Sequence, residues 1–282
     1  MAVGCGVGGD DSPTLDLWNE SYNAMRDGQA TGGLTSAYES IVAQQLPDHL
    51  KMGGLNSSFR GRSDHDRFEL LTAITKTGLA KRRAATADKL DNTALAMSDA
   101  ARDAVDSLIS AFPAAAVAWA GLCTLTPLLL DPLVQRKDLG PGLIHVIGRI
   151  PWYMHLPQLF SAKSWADERV FGERQDQTRY ALVDLYRAVL ELEMNCVCAA
   201  ASSWNPAAKN VVNWDDLGAV VRSIIQADDD MANLVQQYCT PEAQDQLLRL
   251  DTDFNMPTAD DDAEEQQPPA SEEPGHTQAA AQ

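Results

Sequence analysis

Cations are scarce in this 282-residue chain: Lys and Arg total 22 against 40 Asp and Glu, giving a formal net charge of -18. A protein that neutralises phosphates along a nucleic acid needs the opposite balance, so no nucleic-acid partner is expected. Cysteine is sparse too, at five residues, which excludes a disulfide scaffold at this length. Nucleotide-binding signatures are missing. There is no G-x-x-x-x-G-K-[ST] run and no Gly-Lys dipeptide, so the backbone cradle and the lysine that meet phosphates are both absent. Gly4, Gly6 and Gly9 formally fit G-x-G-x-x-G, but the residues before them are too few to supply the strand that motif needs. No G-x-S-x-G nucleophile elbow occurs. The five histidines, His49, His65, His145, His155 and His276, fall near loops or predicted helix ends rather than in a dyad. Cys196 and Cys198 lie two apart on a predicted helix, about 200° around its axis, so they point to different sides. His145 and His155 are ten apart with no carboxylate arrangement beside them, unlike the converging spacing zinc requires. The expectation is no catalytic residue, no metal ligand and no cofactor. Residues 1–12 lack the basic and apolar regions of a secretory leader. They read as a flexible Gly-rich leader to a cytoplasmic protein whose thiols stay reduced, leaving the sequons at Asn19 and Asn56 unused.

What is present is helical periodicity. Hydrophobic residues make up 45% of the chain, enough to bury a core. Ser12-Pro13 reads as a cap and first helical turn, followed by Leu15, Trp18 and Tyr22 on one side. Ser36 and Glu39 have the S-x-x-E spacing of a capping box. Ser63 and Asp64 can cap a helix with Phe68, Leu71, Ile74 and Leu79 on its apolar side. Leu90, Ala94, Met97, Ala101, Ala104 and Leu108 step by fours and threes, the spacing of one narrow stripe. Residues 143–160 predict a helix broken by Pro151 and Pro157.

The longest helix is predicted from about 166 to 204. Leu182, Leu185, Val189, Leu192, Cys196 and Ala199 form one of its stripes, and Tyr186, Leu190, Met194, Val197 and Ala201 the other. Two stripes imply two or more packed neighbours. A shorter helix carries Leu217, Val220, Val221, Ile224 and Ile225, and Thr240-Pro241 starts the last. No run alternates with period two, so the predicted class is all-α: a bundle of roughly seven or eight helices over 13–250. Residues 251–282 hold nine acids, no Lys or Arg, and four prolines, and read as a disordered acidic tail. Trp18, Trp152, Trp165 and Trp214 are the large anchors, expected in the core before an interface.

Two stretches point elsewhere. Residues 111–130 are uncharged for 20 positions, the length of a bilayer crossing. Pro113, Pro127 and the many alanines favour a central core helix instead. From Arg60 to Lys89 eight bases (Arg60, Arg62, Arg67, Lys76, Lys81, Arg82, Arg83, Lys89) face four acids. The expected role is a solvated face that pairs with the acidic tail, with anionic lipid as the alternative contact.

Several landmarks in order resemble one family. They are LWNESY at 17–22 with AYE at 37–39, AAAVAWAGLC at 114–123 leading to PLLL at 127–130, RIPWY at 149–153, LYRAVL at 185–190 with Val197-Cys198, and WDD at 214–216. Together, over roughly 14 to 250, they are similar to the N-terminal domain of fungal NWD NACHT-NTPases. The resemblance implies a helical module at the front of a NOD-like receptor, the signalling end in non-self recognition and programmed cell death. Its implied partners are proteins, through self-association or a NACHT receptor. No catalytic residues come with it. No NACHT domain lies within these 282 residues, so switching by nucleotide is not expected of this chain. The reading is a non-enzymatic interaction module. The alternative is a membrane-perturbing, HeLo-like effector that would use the apolar helix 111–130.

Overall fold

The computed structural model describes residues 12–44, 61–85, 149–212 and 217–252, with single positions 46, 50, 59, 142, 145 and 146. The predicted leader, the apolar segment 111–130, the stripe from Leu90 to Leu108, Trp214 and the acidic tail beyond 252 lie outside the described residues. The described elements are α1 (Ser12–Asp27), α2 (Gly32–Ala43), α3 (Asp64–Ala85), α4 (Ile150–His155), α5 (Glu168–Ala201), α6 (Pro206–Val211), α7 (Leu217–Tyr238) and α8 (Pro241–Thr252). Short 3-10 segments, Leu156–Phe160 and Ala162–Ser164, join α4 to α5. The fold is all-α, as expected from the sequence. Among the described residues the one extended pairing is an isolated antiparallel bridge between Trp165 and Cys239.

Helix α5 is the mast of the bundle. Its 34 residues span about 50 Å at 1.5 Å per residue. It starts where Asp167, in extended backbone, accepts a hydrogen bond from the Arg169 amide at 2.8 Å, which satisfies one orphan donor of the first turn. No proline interrupts it. Both stripes read from the sequence are buried, from Leu182 to Ala201. Helices α1, α2, α6 and α7 all pack against it. The fixing contacts are specific. Trp18 of α1 stacks on Tyr186 with ring centroids 4.1 Å apart and planes within 1°. From α2, Thr35 approaches Met194 Sδ, and the Tyr38 hydroxyl donates to Glu193 Oε1 at 3.3 Å. Each large side chain buried this way stabilises the fold by about 1.5–3 kcal/mol.

The predicted break near Pro157 has a visible cause and a visible repair. Proline has no N–H, so residue 157 cannot donate to the carbonyl of Tyr153 one turn earlier. The chain tightens there into a 3-10 segment. The Tyr186 hydroxyl donates to the Tyr153 carbonyl instead, at 2.6 Å. One proline thus ends α4 and, through the oxygen it leaves for a side chain, pins α4 to the mast. The chain then turns at Trp165, whose indole N–H donates to the Leu159 carbonyl at 2.7 Å. Two backbone bonds, Ala166 N to Tyr238 O and Thr240 N to Ser164 O, clip this turn to the α7–α8 junction.

The caps divide. Ser63 Oγ accepts from the Asp66 amide, and Thr240 Oγ1 from the Ala243 amide, as expected. The capping box at Ser36 and Glu39 is not one. Helix α2 already begins at Gly32, so Ser36 sits on an exposed helical face. The spacing matched because a four-residue pattern is short enough to recur by chance inside a helix; Glu39 is used elsewhere, as follows.

Candidate functional site

Among the described residues, two polar clusters and one open groove are the features able to carry function. The first cluster joins α4, its approach, and α7. Asp228 lies on the inner face of α7 and is fully buried. Its Oδ2 meets His145 Nε2 at 2.7 Å, accepts from the Tyr153 hydroxyl at 2.9 Å, and lies 3.5 Å from Arg149 Nη1. Burial holds the carboxyl above the usual carboxylate range, opposed by the His145 contact and the Arg149 charge. Nearby, the Arg149 guanidinium covers the Trp152 ring at 5.1 Å. Gly142 sits so close to α7 that a side-chain carbon there would collide with Val221. Two hydrogen bonds and one ion pair converging on a single oxygen tie His145, Arg149 and Tyr153 to α7.

The second cluster fastens α1, α2 and α3. The Tyr22 hydroxyl donates to Glu39 Oε1 at 3.1 Å. Arg67 donates to Asn23 Oδ1 at 3.0 Å and lays its guanidinium 5.1 Å from the Tyr22 ring centroid. Burial raises the Glu39 carboxyl, partly offset by the Tyr22 bond and the Arg67 charge. This corrects the reading of the basic stretch. Arg67 is 3% exposed, so it is an internal tie and belongs neither to the expected solvated face nor to the alternative lipid contact. Lys76 is exposed, while the side chains of Lys81, Arg82 and Arg83 lie outside the described residues.

The groove runs between α5 and α7. Two adjoining hollows of about 440 and 430 Å³ share Ala181, Asp230 and Met231. Between Arg174 and Glu191, the groove follows α5 for roughly 25 Å at 1.5 Å per residue. Its floor is apolar and largely small, with Ala181, Ala188, Ala227, Leu185 and Met231. Tyr180, 69% exposed, stands on the same side of α5 as Gln177 and Asp184, three and four residues away.

Of the residues singled out from the sequence, Trp18, Trp152 and Trp165 are core, as expected. Among the described residues the exposed indole is Trp204, at 47%, in the turn after α5; no periodicity pointed to it. Cys196, Cys198 and Cys239 are buried and unpaired. Desolvation pushes the first two thiols up to about 12 and the third to about 11. His145 does have a carboxylate beside it, contrary to the sequence reading. The partner is 83 residues away in the chain, beyond the reach of any local pattern. Among the described residues no three metal-binding side chains cluster, and no helix is long and apolar enough to cross a membrane.

Fold and surface together define an all-α domain built on one long central helix with an open helical groove. Residues 14–254 match the family described as the N-terminal domain of NWD NACHT-NTPase. The chain belongs to that family. Among curated proteins and solved structures, no significant match is found.

Proposed function

We propose that this chain is a non-enzymatic interaction module working at the front end of a fungal, cytoplasmic NACHT-type receptor system. It would signal in non-self recognition and programmed cell death by docking with a protein partner. The observation that carries this is the family match over 14–254, which makes the helical bundle an N-terminal domain of NACHT NTPases. Two structural facts support it. The groups best suited to acid–base chemistry, His145, Tyr153 and Asp228, are engaged with one another in tying α4 to α7. The hollows between α5 and α7 form an open groove with an apolar floor, the shape that helical partners occupy.

A split-luciferase assay between this chain and the NACHT receptors of its host tests the proposal. Signal with at least one receptor is expected, together with no turnover of ATP or GTP by the purified chain. Nucleotide turnover, or silence with every receptor, would overturn it. Dye release from liposomes on adding the purified chain would instead favour a membrane-directed effector.

A further inference from the structure

We draw no further inference here: the strongest candidate, the open groove between α5 and α7 floored by Ala181, Ala188, Ala227 and Met231, carries acids and bases along both halves of its lip, and nothing in the structure shows what covers it.

Discussion

Replacing Asp228 by Ala removes the one acceptor on which His145, Tyr153 and Arg149 converge. A hydrogen bond to a charged group contributes about 1.5–3 kcal/mol, and removing one partner of a buried ionic cluster costs about 3–5 kcal/mol. One term opposes this. Burial raises the Asp228 carboxyl, so its charged form already bears a desolvation penalty that the Ala variant escapes. The net expectation is a loss of about 3 kcal/mol. In a domain of this size that lowers the melting temperature by roughly 6–12 °C. Tyr153→Phe removes a single donor and should cost about half as much, roughly 1.5 kcal/mol.

The sign of the pH dependence follows from the same geometry. A carboxyl whose folded value is raised contributes stability that is present below its unfolded value, near 4, and is lost as pH rises through the folded one. Falling pH should therefore stabilise the wild type relative to Asp228→Asn, which has no proton to take up at this site. Thermal melts followed by circular dichroism across pH 4 to 7 measure both effects. An Asp228→Ala melt within about 2 °C of wild type would refute the tie between α4 and α7.

The remaining predictions concern the core and the caps. Cys196, Cys198 and Cys239 should resist a disulfide-exchange thiol reagent at pH 8 in the native state and react in denaturant, as read by peptide mapping; native labelling of any of them would contradict their burial. Because these thiols are raised toward about 11 to 12, their contribution to stability is full below the ordinary thiol value of about 8.5 and declines as pH rises beyond it, which a urea midpoint measured at pH 8 and pH 10.5 will show as a fall. Trp18→Ala should destabilise by about 3–5 kcal/mol through the cavity and the lost stack on Tyr186, seen as a lower urea midpoint with unchanged slope. Asn205 accepts from the amides of Ala207 and Ala208 at the start of α6; Asn205→Ala should cost about 1 kcal/mol, whereas Ser36→Ala, on an exposed helical face, should cost nearly nothing by the same melt.

Much of this architecture could be read from the chain. The stripes of α5 are visible because a helix repeats every 3.6 residues, so its buried face is written in local spacing. The breaks and caps at Pro157, Ser63 and Thr240 were legible for a similar reason: a proline or a short polar side chain acts on backbone groups within a turn of itself. The S-x-x-E at Ser36 marks the limit of that logic. Such a pair is a cap only if the helix begins there, and packing of Leu34, Ala37, Tyr38 and Ile41 extends α2 back to Gly32.

What local spacing cannot record is which faces meet. His145 and Asp228 carry no sequence relation that reveals their contact, nor do Trp18 and Tyr186, 168 positions apart. Arg67 counted as surface charge until Tyr22 and Asn23 closed over it. The groove is the clearest case. Ala181 and Ala227 are unremarkable alone, and only the packing of α7 beside α5 turns them into one floor. The sequence by itself determined the class of fold, the long central helix and the family to which the chain belongs, because those rest on periodic and ordered features along the chain. The tertiary structure alone decided the buried ties and the α5–α7 groove, because each is made of side chains whose proximity exists only after the helices have packed.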